Sequence, residues 1–297
     1  MSMLFGPVFD SHCHLDMIAE KYRIPPEEFN IAKTMQPSHV KPHSWAGVIA
    51  NFCKPKEWTR NDENSTVLSA VLRKSIDHEK TWIALSVHPH WSTEWNDEVD
   101  LQLRSHIINN HCEFNSKIVA IGEVGLDFSK NNRVRHREIQ RNAFRKQIRI
   151  ALDYQLPLIL HIREAEDEGL AILSECNVPA HYKIHRHCFT GSVEQARHWM
   201  ELYPESVLGL TGLVTMRGAR GDQARELARA IPMHRLVLET DSPHHQPPGS
   251  MGKCTRPTNV LAVAEQVSWI KSSPIAFVLR VNLDNVDRIY NIFKTPI

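Results

Sequence analysis

The sequence predicts a single α/β domain, a (β/α)8 barrel of the TIM type. Three observations predict it. Short apolar runs, often β-branched and nearly free of charge until they end, occur eight times; strands buried on both faces read this way. Longer amphipathic stretches separate most of them, which is the rhythm of a parallel sheet crossed by helices. Eight such repeats within 297 residues suit a closed barrel, which takes about 250 residues as one domain. The competing architecture is an open doubly wound sheet, but its Gly-rich loop after the first strand is missing. No linker or low-complexity segment divides the chain, so residues 1–297 are read as one domain.

The elements follow in order. The first run, 7–12, leads into DSHCH at 10–14 and then a long loop, 16–45. The second, 47–52, precedes a helical stretch over 63–79. The third, 81–88, ends in HPH at 88–90, and a helix is expected over 98–111. The fourth, 118–125, carries GEVGLD at 122–127. The clearest helix follows it, 133–154, with Phe144, Ile148, Ala151 and Leu152 on one stripe. The fifth run, 156–162, holds His161 and precedes a helix over 165–176. The sixth, 183–188, holds His185 and His187 and precedes a helix over 193–202. The seventh, 206–211, precedes a helix over 221–230. The eighth, 236–241, ends in Glu239-Thr-Asp241; a loop over 242–256 and helices over 258–270 and 275–293 complete the chain.

Composition narrows the function classes. Hydrophobic residues at 42% supply a core, and charged residues at 23% argue against disorder. A net charge of +1 excludes gripping nucleic acid by bulk electrostatics, so any such contact is local. The six cysteines, at 13, 53, 112, 176, 188 and 254, show no metal-finger spacing. They read as reduced thiols of an intracellular protein, cytoplasmic or nuclear, with no Lys/Arg cluster dense enough to choose the nucleus. The N-terminus has no basic segment or long apolar run, so a signal peptide is not expected, and no stretch approaches the roughly 18 apolar residues of a membrane span.

The unusual number is 18 histidines. Active sites of (β/α)8 barrels lie at the C-terminal ends of the strands. Six of the eight predicted ends carry histidine or a carboxylate. His12 and His14, two apart on a strand, share a face; as a pair they are poor core packing and good metal ligands, whereas alone they would read as surface histidines. Glu123 ends an apolar run, where an unpaired carboxylate costs several kcal/mol unless a cation offsets it. An ion pair with Arg or Lys is the plainer reading; bridging two metals is the other. His161 and His187 end adjacent strands and are candidates to share the second metal. Asp241 ends the last strand, beside the first in a closed barrel, within reach of the ion at His12 and His14 and able to take a proton from water. This mixed donor set suits Zn²⁺ or Mn²⁺, and Mg²⁺ less comfortably.

Other residues carry weaker signals. Arg163 is a candidate phosphate clamp, or else a salt bridge to a neighbouring carboxylate. His88 is a candidate donor to substrate. Trp91 and Trp95 either stack on a base or close their own loop. Cys13 and Cys188 are expected to face the helices, and His185 to sit one layer below His187. Arg133, Arg137, Arg141, Arg145 and Arg149 form a drifting stripe, read first as a solvated face and second as a track for a nucleic-acid backbone.

Together, FDSHCHLD at 9–16, VHPH at 87–90, IGEVGLD at 121–127, HIREA at 161–165, HCFTG at 187–191 and LETDSP at 238–243 resemble the TatD family of metal-dependent nucleases. The stretch YKIHRHCFTGS at 182–192 is most similar to the catalytic domain of an animal branch that carries a long N-terminal extension. The resemblance implies a barrel with two divalent ions (Mg, Mn or Zn). It implies His12, His14, Glu123 and Asp241 at one, and Glu123, His161 and His187 at the other. It also implies 3′-to-5′ exonuclease or related endonuclease action on single-stranded DNA, RNA or both. Ser242 stands where the family usually has alanine, and His244-His245 where it has an aromatic or leucine; these departures bear on the substrate preference of that loop. The alternative is an amidohydrolase-type enzyme acting on a small molecule with the same binuclear site. Those barrels usually bridge their metals with a carboxylated lysine on the fourth strand, where this chain has Glu123. A third reading is a metal-free interaction module, and the presence of every expected ligand argues against it.

Overall fold

A computed structural model describes residues 6–34, 45–59, 69–109, 116–129 and 134–293. Eight parallel strands form one sheet in the order β1 to β8. They are β1 (Val8–Cys13), β2 (Trp45–Phe52), β3 (Thr81–Leu85), β4 (Ile118–Asp127), β5 (Leu158–Arg163), β6 (Ile184–Arg186), β7 (Val207–Leu210) and β8 (Leu236–Leu238). The expected barrel is therefore present, with all eight predicted runs at strands.

The seam between the last strand and the first closes beyond β8. Asp241 N–H donates to the His12 carbonyl at 3.0 Å and His14 N–H to the Ser242 carbonyl at 2.8 Å. Asp10 reinforces this seam from inside, accepting from Thr240 N at 2.9 Å and from Thr240 Oγ1 at 2.6 Å. Its burial is thus matched by donors, which a buried carboxylate requires.

Helices cover the outside: α1 (Leu15–Tyr22), α2 (Ile31–Thr34), α3 (Ala70–Asp77), α4 (Asp97–Asn109), α5 (Val134–Tyr154), α6 (Glu166–Glu175), α7 (Val193–Leu202), α8 (Ala219–Ala230), α9 (Val260–Ile270) and α10 (Ile275–Tyr290). None is long and apolar enough to cross a membrane, among the described residues. The main core lies between strands and helices. A smaller one fills the barrel, where Phe9, Ile49, Ala84, Ala120, Ile159, Val207 and Val237 meet Leu283, Val286 and Ile289 of α10.

Several expectations need correction. The segment 16–45 is not all loop: α1 begins at Leu15, buries Leu15, Ile18 and Ala19, and stops at Arg23, whose φ is 55°. Residues 86–88 are not strand; β3 ends at Leu85 and a 3-10 turn, Pro89–Glu94, follows, since Pro89 has no N–H for a ladder. β6 and β8 end before His187 and Asp241, so these two ligand candidates sit just past their strands. Residues 63–68 and 110–111, Cys112 and Arg133 lie outside the described residues.

Glycines shape β4. Its pairing with β5 skips Glu123, with Gly122 opposite Ile159 and Val124 opposite Leu160; such a bulge re-aims one side chain. A Cβ on Gly122 would lie 2.3 Å from Ile159 Cβ, and one on Gly125, at φ 145°, would lie 1.9 Å from the His161 carbonyl oxygen. Gly125→Ala is therefore expected to lower stability by at least about 3 kcal/mol in chemical denaturation. A loss under about 1 kcal/mol would contradict the close β4–β5 approach.

Candidate metal centre

Six predicted ligands converge at the C-terminal mouth of the barrel. β1 supplies His12 and turns Cys13 into the core, and His14 follows at the start of α1. The Nε2 atoms of His12 and His14 are 3.3 Å apart. Both face Glu123 Oε2, at 3.4 Å and 3.3 Å. Asp241 Oδ1 lies 3.4 Å from His14 Nε2 and 3.9 Å from His12 Nε2. The other carboxylate oxygen, Glu123 Oε1, faces a second set: His161 Nδ1 at 2.5 Å, His88 Nε2 at 3.4 Å and His187 Nε2 at 3.5 Å. One carboxylate thus has imidazoles against each of its oxygens. Among the described residues, sets of three such atoms lie within 4.8 Å of one another, among them His12, His14 and Asp241 on one side and His88, Glu123 and His161 on the other.

The outer partners fix which ring nitrogen points inward. His14 Nδ1 is 3.2 Å from the Asn51 carbonyl oxygen, which only accepts; the proton therefore sits on Nδ1 and leaves Nε2 free to ligate. Glu239 acts likewise on His187, with Oε1 at 3.1 Å from Nδ1. The same carboxylate holds His185 Nε2 at 2.9 Å through Oε2 and accepts from Cys188 N–H at 2.6 Å. His161 Nε2 faces Asp127 Oδ2 at 3.3 Å, which directs Nδ1 to Glu123. His88 is different: its Nδ1 accepts from His90 N–H at 3.0 Å, so its neutral ring carries the proton on Nε2. It stands inside the cluster as a hydrogen-bond donor.

Electrostatics show what the pocket demands. Burial pushes the His12 and His88 imidazoles down to about 4, so both are neutral near pH 7. Burial also opposes charge on Glu123 and Asp241, yet the surrounding imidazoles, His187 foremost, hold both carboxyls well below their usual range. Against its own burial, His187 is raised to about 9 by Glu239, Glu123 and Asp241. The carboxylates thus draw positive charge into the pocket, and His14, His161 and His187 are raised against their own burial by them. A divalent cation supplies that charge in place of protons, and imidazoles with carboxylates form a donor set that fits a hard or borderline one.

Glu239 was the main omission from the residues singled out in sequence. Its signal was a carboxylate directly after the apolar run Leu236–Leu238, but its partners become apparent only when β6 and β8 are placed. Glu239→Gln is expected to weaken metal binding about 10–100-fold in chelator competition, with the fold retained. Unchanged affinity would show that His187 needs no such support. His245, expected in the last loop as a solvated or substrate-contacting residue, instead places its Nε2 3.3 Å from Asp241 Oδ2.

The remaining candidates divide. Arg163 is exposed at the rim, and among the described residues no carboxylate lies at ion-pair distance from it. His185 sits below His187, bonded to Tyr290 Oη at 2.6 Å. Trp91 and Trp95 pack partly buried against the core, the plainer reading. Cys188 does not face the helices. β6 has ended, its φ is 42°, and its Sγ lies 3.6 Å from His245 Nε2 at the mouth. In the arginine stripe, Arg141 bonds Glu138 and Glu168, and Arg145 bonds Glu175 at 2.7 Å, so these two tie α5 to its surroundings.

A parallel barrel with imidazoles and carboxylates gathered at the C-terminal strand ends has the build of the metal-dependent barrel hydrolases. The chain belongs to the TatD-related DNase family, whose model matches residues 9–291. It is 30% identical over 286 residues to the human "3′-5′ RNA nuclease TATDN2", covering 95% of this chain and 35% of that protein. The chain thus spans about a third of the human relative's length. It is 34% identical over 224 residues to the Cronobacter sakazakii "3′-5′ ssDNA/RNA exonuclease TatD", covering 70% of this chain and 79% of the relative. Among solved structures, the Escherichia coli TatD homolog YjjV superposes with a TM-score of 0.77 at 24% identity, covering 97% of this chain and 98% of the other.

Proposed function

We propose that the protein is a metal-dependent nuclease that removes nucleotides from the 3′ ends of single-stranded DNA, RNA or both, with two divalent ions (Mg, Mn or Zn). The observation that carries this reading is the Glu123 carboxylate, with His12 and His14 against Oε2 and His161 and His187 against Oε1. His12, His14, Asp241 and Glu123 would hold one ion; Glu123, His161 and His187 would hold the other. Bound there, such a pair lowers the pKa of water and offsets charge on the phosphoryl oxygens.

The chain's own groups do the rest. Asp241 keeps Oδ1 toward His14 and Oδ2 toward His245, where it accepts the proton of an attacking water. His88 donates from Nε2 to a phosphate oxygen. Arg163 offers its planar guanidinium from the rim to the same phosphate. The names of the human and Cronobacter relatives support the 3′-to-5′ direction and the nucleic-acid substrate. The unpaired thiols Cys13, Cys53, Cys176, Cys188 and Cys254 support action inside the cell, in the cytoplasm or nucleus.

The test is to incubate the protein with 3′-labelled and 5′-labelled single strands of DNA and RNA, with Mn²⁺, Mg²⁺ or a chelator. The 3′ label is expected to leave at once as mononucleotide, the 5′ label to trace a descending ladder, and the chelator to stop both. Intact strands under every metal would refute the nuclease reading.

A further inference from the structure

Next to the metal centre lies a second cleft, of about 620 Å³. It opens onto the mouth across Arg163, Thr190 and Arg220, which line both spaces. Its far wall is built by Phe128 and Arg137, with the guanidinium stacked 4.4 Å from the ring centroid. Arg137 belongs to the α5 stripe but differs from Arg141 and Arg145. It turns into the cleft, and its buried Nε has no hydrogen-bond partner among the described residues. Nor does any carboxylate lie at ion-pair distance from Arg137, Arg163 or Arg220, among the described residues. Of the acidic residues in the cleft, Glu166 is engaged by Arg186 Nη2 at 3.1 Å and Trp199 Nε1 at 2.6 Å, and Glu168 by Arg141. Among the described residues, Arg137, Arg163 and Arg220 therefore share the cleft with two carboxylates that have no ion pair, Glu164 and Asp167.

We infer that this cleft is a binding subsite for the single strand leading away from the metal centre, with Arg220 on a backbone phosphate and the Arg137–Phe128 stack as the platform for a base. The inference rests on the nuclease reading and extends it to the nucleotides beyond the one removed. The chemistry matches what single-strand sites use: cationic groups that track phosphates and a flat π-bearing surface that accepts any base. A net charge of +1 leaves little long-range attraction, so a local cleft of this kind is where affinity for length has to arise.

Two readouts test it. Binding of a fluorescent oligothymidylate in EDTA, over a salt series, reads the cleft without turnover. Arg220→Ala is expected to weaken binding roughly tenfold and flatten the salt slope by about 0.7, the share of one phosphate contact on a single strand. Arg137→Ala is expected to weaken it roughly tenfold. In turnover with Mn²⁺, wild-type kcat/KM is expected to rise from a dinucleotide to a decanucleotide, and that gain to shrink in both variants. Arg145→Ala, on the same helix but outside the cleft, is expected to keep the wild-type gain. Wild-type affinity, salt slope and length gain in both R137A and R220A would overturn the subsite. Binding that responds as expected in a protein that cleaves no strand would instead overturn the nuclease reading and leave the subsite standing.

Discussion

Replacing Glu123 by alanine is expected to lower phosphodiester hydrolysis by at least about 10³-fold and to leave the barrel folded. The size follows from position. Each oxygen of this carboxylate faces a different imidazole set, so on the proposed two-ion reading one substitution takes a donor from both halves of the site. The fold should survive because Glu123 contributes a buried charge rather than packing. It sits in a bulge that the β4–β5 ladder already bypasses, and the imidazoles facing it can shed their protons once the carboxylate is gone, so that no unpaired charge stays buried. Thermal melts followed by circular dichroism should show one cooperative transition within a few degrees of wild type. An equal rate in the variant would refute the bridging role. Loss of rate with loss of the transition would refute the claim that the bulge is structurally independent.

Asp241→Asn is the second large effect, a fall in kcat of about 10²–10⁴-fold, the usual contribution of a positioned general base. The amide keeps an oxygen toward His14 and the same volume, but it cannot accept a proton at neutral pH. Its backbone is secured independently by the bond from Asp241 N to the His12 carbonyl at 3.0 Å, so the side chain should stay in place. Metal content measured beside kcat separates the two roles. Activity lost with metal retained supports proton transfer. A rate within a few-fold of wild type would remove Asp241 from the chemistry.

Most of the donor set was legible before any fold was known, for a physical reason. Strand side chains alternate, barrel strands deliver their ends to one mouth, and a histidine or carboxylate ending an apolar run has few reasons to be there. His12, His14, Glu123, His161, His187 and Asp241 are brought together on that logic. Alternation stops where the strand stops, and beyond the ends of β6 and β8 it no longer dictates which way a side chain points. Cys188 follows the end of β6 and turns toward the mouth, and His245 reaches Asp241 from an irregular loop. Glu239 was visible as a residue but not as a partner, since its two histidines belong to β6 and its vicinity, distant in sequence. The arginine stripe shows the same limit. Whether an arginine pairs with α6 or turns into a cleft depends on the neighbouring helix and not on its own period of four. α1 escaped notice because it is short, and its helical face is set by burial of Leu15, Ile18 and Ala19 against the barrel.

The central claim is that Glu123 stands between two cations. Anomalous diffraction from crystals grown with Mn²⁺ tests it most directly. Two peaks about 4 Å apart are expected, one beside His12, His14 and Asp241 and one beside His161 and His187, with the Glu123 carboxylate between them. A map with no peak at that carboxylate, in crystals of protein that cleaves single strands under the same conditions, would contradict the account.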